Sequence, residues 1–385
     1  MQLAALKELA HVERRVALVP AAVPVLTKAG WQVLIEAGAG QNAGFADAAY
    51  LEKGAQVVSR AEALAAEVVV AVRVADAETF GSLRPEQVLV AQLDPLNRPQ
   101  LCEALARSGA TLFALELIPR ITRAQAMDVL SSMATIAGYR AVLLAAVELP
   151  KMFPLMMTAA GTIAPAKVLV LGAGVAGLQA IATARRLGAV VHAYDVRPAC
   201  REQVESVGGK FIELGLESAE AEDKSGYATA QSEDFAHKQQ DALGKFVRDS
   251  DVVITTAAIP GQRAPLLFRA DAVAQMRLGS VIVDLAAERG GNCPLTKLGE
   301  RVVEQGVVIL GPANLPGDVP HDASLLLSGN IVQFIKNLLI KGSTEINFAD
   351  EIVRETLVAQ AGNIVHPRVH RALGHEPATA SAPDM

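Results

Sequence analysis

The sequence predicts an α/β protein made of two doubly wound parallel-sheet domains, linked by long helices, with a cleft between them. Three observations carry that expectation. At 385 residues the chain is long enough for two domains of ordinary size. Apolar runs of strand length alternate with helical patterns along most of it. Two apolar segments far longer than a strand, 131–148 and 324–341, bracket a stretch that holds six of those runs.

Toward the start of the chain, runs at 32–36, 68–74, 88–93 and 111–117 read as strands. They are nearly unbroken in their apolarity, as in a parallel sheet covered on both faces. Helical spacing at 21–28 and 98–108 separates some of them. Segment 131–148 reads as a helix that leads directly to a glycine-rich turn. Strands at 167–171, 190–195, 210–214, 252–256, 281–285 and 307–310 then make up the six of one complete doubly wound domain. Segment 324–341 is the second linking helix, and the residues after Lys341 are too few for a third domain. The expected division is therefore 1–130 plus 325–385 for the first domain and 131–324 for the second, with a disordered Ala/Pro/Ser-rich tail at 376–385.

Composition closes off several functions. With 51% hydrophobic and 20% charged residues the chain can bury a core, which excludes disorder and coiled coil. Lys plus Arg number 35 against 41 Asp plus Glu, a formal charge of −6 with no basic run, so no nucleic-acid partner is expected. A mean hydropathy of +0.30 raises the question of a membrane span. The longest uncharged stretch, 168–184, has 17 residues and three of them are phosphate-loop glycines. That falls short of the ~18–20 needed to span, and no direct span is expected. Cys102, Cys200 and Cys293 are scattered, which argues against a disulfide framework and for a reducing, cytoplasmic setting. His366 and His370 sit four apart around Pro367 with no acidic ligand near, so no metal is expected.

Residues 172–177 read Gly-Ala-Gly-Val-Ala-Gly, directly after the strand KVLVL and before a helical pattern, 178–187, that stops at Gly188. A lone GxGxxG is weak, but here it stands in the strand–turn–helix context of a Rossmann-like domain. Gly172 permits the tight turn, Gly174 lets backbone approach a pyrophosphate, and Gly177 lets helix and strand close on each other. Free N–H groups at the helix start would hold the phosphate charge. Asp195 ends the next strand 18 residues after Gly177, where a carboxylate accepts hydrogen bonds from ribose hydroxyls. It would repel a 2′-phosphate, favouring NAD(H) over NADP(H), whereas Arg197 works the other way. The blander reading, glycines for a turn and an aspartate capping a loop, fits the context less well. Between 213 and 234 a charged stretch, long for a connection inside a domain, reads as a lid with a hinge at Gly226 beside Tyr227.

The segment PRITRAQAMD, 119–128, lies at the predicted cleft. Two readings stand side by side. Thr122 with Gln125 makes a capping box, and Asp128 sits near the positive end of the next helix. Equally, Arg120 can hold a nicotinamide amide or diphosphate while Gln125 and Asp128 point into the cleft. No histidine general acid is evident in the cleft segments, and GxSxG, CxxC, HExxH and GxxxxGK[ST] are all missing. Dehydrogenases of alcohols or amino acids need a proton-transfer residue, whereas hydride exchange between two nicotinamides needs none.

The stretches ERRVALVP, PRITRAQAMDVLSSMATIAGYRAVL, LVLGAGVAGLQAIATARRLGAVVHAYDVR, EQVESVGGKFIEL, DVVITTAAIPG, VIVDLAAERGGNC and GPANLPG are similar to those of a known family. The chain resembles the NAD(H)-binding α1 subunit, domain I, of the proton-translocating, Re/Si-specific NAD(P) transhydrogenases. That resemblance implies a catalytic loop of Arg120, Gln125 and Asp128. Arg120 and Asp128 would orient the dihydronicotinamide, and Gln125 would reach toward NADP(H) held by a partner subunit. It also implies nucleotide contacts at Ile121, Thr122, Ala173, Gly174, Val175, Asp195, Val196, Arg197, Gln239 and Ala258, and a mobile loop at Gly226 and Tyr227. A homodimer, separate NADP(H)-binding and membrane-spanning subunits, and a cytoplasmic place at the inner face of the membrane are implied as well.

Alanine dehydrogenases resemble the chain at ERRVAL and at the glycine turn. Their substrate lysine and catalytic histidine would align near VVVAVRVAD and VLVAQLDPL, where this chain carries Arg73 and Asp94. Arginine does not readily donate a proton and an aspartate is no substitute for an imidazole near neutral pH, so transhydrogenase is favoured. A third possibility is a redox-sensing NAD-binding module whose lid signals to a partner.

Overall fold

Short valine-, isoleucine- and leucine-rich strands build both halves of the chain. The computed structural model describes residues 1–216, 232–259, 261–341 and 343–374. The chain divides into two units, Met1–Met133 with Gly317–Met385, and Ala134–Pro316. Gly226 and Tyr227 of the expected lid, and the tail 376–385, lie outside the described residues.

In the first unit, β1 (Gln2–Ala5), β2 (Gln32–Glu36), β3 (Gln56–Val58), β4 (Val68–Arg73), β5 (Val88–Gln92) and β6 (Thr111–Ala114) run parallel in the order β3-β2-β1-β4-β5-β6. This is the doubly wound order, with the winding reversed between β1 and β4. The chain end adds Leu357–Gln360 antiparallel to β6, and Asn363–Ile364 antiparallel to that. The expected strand 111–117 stops early, because Leu115–Leu117 turns into a 3₁₀ helix. β1 and β3 were not expected, because QLAA and QVV are too short to show a period. Ala4, Leu34, Val69, Leu89 and Leu112 pack together on one side of the sheet. Phe113 meets Phe334 edge-on, with ring centroids 5.8 Å apart.

Phe334 belongs to the helix Pro320–Leu338, which starts four residues before the expected 324 because Pro320 is at home in a first turn. Its buried face carries polar groups with definite partners. The Val16 N–H donates to Ser324 Oγ (3.0 Å) and the Val19 N–H to Ser328 Oγ (3.1 Å). One turn apart on the same face, the two serines bind the strap that follows β1.

Two glutamates cap the carboxyl end of this sheet. The Val72 N–H donates to Glu8 Oε1 (2.7 Å), beside a register shift between Val70 and Arg73. The Leu93 and Asp94 N–H groups donate to the Glu116 carboxylate (3.2 and 2.8 Å). Burial pushes Glu8 up to about 8 and Glu116 up to about 7.

The second unit opens on an exposed hairpin of β7 (Met156–Thr158) and β8 (Gly161–Ile163). Its main sheet comprises β9 (Lys167–Leu171), β10 (Val190–Tyr194), β11 (Lys210–Phe211), β12 (Val252–Thr255), β13 (Val281–Asp284), β14 (Arg301–Glu304) and β15 (Val307–Leu310). They lie in the order β11-β10-β9-β12-β13-β15-β14, all parallel except β14, which pairs antiparallel at the edge. Val168, Val170, Val252, Ile254, Val281 and Val283 fill one face, and Leu169, Leu171, Val253 and Ile282 the other. Burial on both faces is why these strands read as unbroken apolar runs. The expected strand 210–214 contracts to the two residues of β11.

The helix Val129–Glu148 is, among the described residues, long and apolar enough by length and composition to cross a membrane. Its apolar character has another use: Ala141, Val142 and Ala145 are wholly buried with the β9, β12 and β13 valines in the core of the second unit. Gly138 on the same helix has no room for a Cβ against the Ala176 carbonyl, so the helix lies directly on the first turn of the helix Val175–Arg186.

Raised carboxyl groups give the fold a pH signature. The folded state keeps a proton on Glu8 that the unfolded chain releases near 4.5, so stability falls as pH rises from about 4.5 toward 8. Thermal melts from pH 5 to 9 should show that decline. Glu8→Gln, which keeps an acceptor for the Val72 N–H but cannot ionise, should remove a large part of it; an unchanged slope would refute the assignment.

Candidate functional site

The first strand of the main sheet in the second unit delivers the chain into a turn that only glycine can make. Gly172 has φ +98, and a Cβ there would come within 2.6 Å of Thr256 Oγ1, the hydroxyl that donates to the Gly172 carbonyl (3.0 Å). A Cβ at Gly177 would sit closer to the Gly172 carbonyl oxygen than any real Cβ approaches. Gly174 differs: as N-cap of the helix Val175–Arg186 it has φ −73, and a Cβ there would meet nothing within 4 Å. No side chain caps the helix at that position. The helix start thus presents backbone N–H groups beside open space, the arrangement that receives a phosphate. Val175 is exposed at the edge of that space, while Ala173 is buried beneath it.

Asp195 follows β10, the strand beside β9, and only 6% of it is exposed. Its Oδ2 accepts from the Ala173 N–H (2.7 Å) and Arg197 Nη2 (2.9 Å), and its Oδ1 from the Arg197 N–H and Nε (2.9 Å each). Burial alone would raise its pKa, but the Arg197 guanidinium and these N–H groups outweigh burial and hold the carboxyl below its usual range. A carboxylate has about four lone-pair sites, and four donors occupy them. A ribose hydroxyl would therefore have to displace part of the Arg197 pairing. Val196 stands half-buried between the two.

Ala258 is exposed in the loop after β12, and that loop is shaped by a residue that no sequence motif singled out. Wholly buried Asn292 accepts from the Ala257 N–H (3.1 Å) and donates to the Ala257 and Pro265 carbonyls (2.9 and 2.8 Å). Asn292 is in turn held by Asp284, which accepts from the Asn292 and Cys293 N–H groups, the Thr296 and Thr255 hydroxyls, and the Ala286 N–H. The only sequence signal of this hub is an acid closing the apolar strand VIVD. Gln239, on the helix Glu233–Asp249, is buried and its Nε2 donates to the Tyr194 hydroxyl (3.2 Å), one residue before Asp195. The glycine turn, Asp195 and Ala258 thus gather at the carboxyl ends of β9, β10 and β12, where the winding of the sheet reverses.

In the first unit, residues Thr122–Met127 form a 3₁₀ helix whose N-cap, Ile121, has no side-chain cap bond. The expected capping box of Thr122 and Gln125 is therefore absent: Thr122 lies inside the helix, not before it. With three residues per turn, Ala124 and Met127 share the buried face, and Gln125 and Asp128 align on another. Arg120, Thr122 and Gln125 are exposed. Asp128 does cap the next helix, accepting from the Ser131 N–H (2.9 Å) and hydroxyl (2.5 Å). Arg123 pairs with Asp350 (2.6 Å), a bond no sequence pattern announced. At the positions that separate the two families by resemblance, Arg73 ends β4, and Asp94, at φ +51, accepts from Asn97 Nδ2 (2.7 Å). His366 caps the helix Pro367–Ala372 through the Arg368 N–H (3.3 Å), and burial pushes it down to about 4.

Fold and turn together define a two-domain nucleotide-binding architecture that matches one family along almost its full length. The chain belongs to the alanine dehydrogenase/PNT family: the N-terminal domain model of that family matches residues 4–137 and the C-terminal domain model residues 141–367. It is 46% identical over 377 residues to the first polypeptide of NAD(P) transhydrogenase subunit alpha from Rhodospirillum rubrum, covering 95% of this chain and 98% of that protein. The crystal structure of transhydrogenase from Sinorhizobium meliloti superposes with a TM-score of 0.83 at 42% identity, covering 95% of this chain and 99% of that one. Alanine dehydrogenase of Halomonas elongata is more distant, at 31% identity over 98% of both chains.

Two glycine substitutions separate folding from binding. Gly177→Ala should destabilise the protein by about 3 kcal/mol, because backbone must move to admit the methyl group. Gly174→Ala should leave stability within about 1 kcal/mol. It should nevertheless weaken NADH binding roughly tenfold or more, about 1.4 kcal/mol, by filling the open space. Calorimetric titration and thermal melts of both variants check this; full NADH affinity in Gly174→Ala would show that no ligand uses the space.

Proposed function

We propose that this chain is the NAD(H)-binding component of a proton-translocating, Re/Si-specific NAD(P) transhydrogenase. Hydride passes between NAD(H) held here and NADP(H) held by a partner subunit, and membrane-spanning subunits couple that exchange to proton translocation. The observation that supports it most directly is the glycine turn with open space at Gly174, in a chain 46% identical, over nearly its whole length, to a protein named for that activity. When bound, NAD(H) supplies the hydride. The turn 172–177 and the first N–H groups of its helix hold the pyrophosphate. Asp195, with Val196 and Arg197, receives the ribose, Ala258 flanks the adenosine, and Gln239 fixes Tyr194 beside them.

In the first unit, Arg120, Ile121, Thr122 and Asp128 orient the nicotinamide, and exposed Gln125 reaches toward the partner's nucleotide. No proton moves at the reacting carbon, so the chain needs no general acid there, and positioning supplies the catalysis. Arg73 and Asp94 standing where an amino-acid dehydrogenase has its lysine and histidine fit this reading. The component is a homodimer at the cytoplasmic face of the membrane, held there by its partner subunits.

The direct test mixes the purified chain with the NADP(H)-binding partner and follows reduction of an NAD analogue by NADPH. Exchange is expected; none with a competent partner, or alanine-dependent reduction of NAD by the chain alone, would sink the proposal. Gln125→Asn should slow exchange by about tenfold while NADH affinity stays within about twofold, since the side chain acts across to the other nucleotide. NADH should bind more tightly than NADPH, because Arg197 is engaged by Asp195 and that carboxylate opposes a 2′-phosphate.

A further inference from the structure

Asn330, on the helix Pro320–Leu338, is 7% exposed, and the two ends of its carboxamide are treated differently. Its Nδ2 donates to the Ala126 carbonyl (2.9 Å), while its Oδ1 finds no donor among the described residues. A buried carbonyl oxygen without a donor destabilises a fold, and a leucine of nearly the same shape would avoid that loss. Stability therefore does not account for an asparagine here. What the carboxamide does achieve is one hydrogen bond to the 3₁₀ turn between Gln125 and Asp128.

That turn rests on the same helix through Ala124 and Met127, both buried. Apolar contact of a methyl and a thioether is non-directional and leaves the rotation of a short helix weakly specified. The Asn330 bond is directional. Arg123 holds the outer side of the turn through Asp350, which also accepts from Asn337 Nδ2 (3.1 Å). Because side chains three apart eclipse in a 3₁₀ helix, any rotation swings Gln125 and Asp128 together.

We propose that Asn330 is a positioning residue for hydride exchange, setting through the Ala126 carbonyl the direction in which Gln125 and Asp128 are presented. It touches neither nucleotide. The inference rests on the transhydrogenase reading above.

The test compares the wild-type chain with Asn330→Leu, and with Asn330→Ser should the larger side chain not fold. Ser328→Ala, which removes the bond to Val19 from the same helix, is the control. Each is measured for unfolding midpoint, NADH affinity and rate of exchange with the NADP(H)-binding partner at saturating nucleotide. Asn330→Leu should keep or raise the unfolding midpoint, hold NADH affinity within about twofold, and slow exchange by about tenfold or more. Ser328→Ala should lose stability and keep its exchange rate. Wild-type exchange alongside an unslowed Asn330→Leu, or a slowing matched by an equal loss of NADH affinity, would overturn this inference alone. Failure of the wild-type chain to exchange with a competent partner would overturn the transhydrogenase reading and this inference with it.

Discussion

Backbone meeting backbone at Gly172 and Gly177 is the contact on which the second unit depends. The helix Val175–Arg186 can lie on β9 and β12 only because no Cβ intervenes against the Gly172 carbonyl. Gly138 repeats the device on the other side, bringing the helix Val129–Glu148 against Ala176. Clamped between them, the first turn of the helix keeps its N–H groups fixed and aimed at open space. A phosphate site needs that rigidity, since donors that must first be ordered bind less well.

Parallel sheets create a second recurring problem, which this chain solves with acids. Where strands splay at their carboxyl ends, backbone N–H groups lose their ladder partners and must find others. Glu8, Glu116, Asp195 and Asp284 each take up such groups. The consequences differ with the surroundings. Glu8 and Glu116 have burial as the dominant influence and hold their protons more tightly. Asp195 faces a guanidinium and stays ionised, which suits a carboxylate that is to meet ribose hydroxyls. One structural role thus yields two chemical characters.

Legibility followed burial. All six expected strands of the second unit are present, because burial on both faces writes an uninterrupted apolar run into the sequence. The hairpin β7–β8, exposed throughout, and the edge strand β14 left no such run. Gly172, Gly174, Gly177 and Asp195 were legible because their spacing is dictated by a turn of fixed length. Asn292, Asp284 and Asn330 were not, because each acts on backbone groups that the fold, not the spacing, brings near.

Composition and pattern by themselves determined that this is a two-domain α/β chain with a phosphate turn after one strand and an acid after the next. Those features are local, and local sterics suffice to read them. Tertiary structure alone decided that Thr122 and Gln125 form no capping box, that Arg197 is folded back on Asp195, and that a helix distant in the chain supplies Asn330 to the Ala126 carbonyl. Each of those outcomes is a choice among hydrogen-bond partners. Such a choice depends on which groups packing leaves within reach.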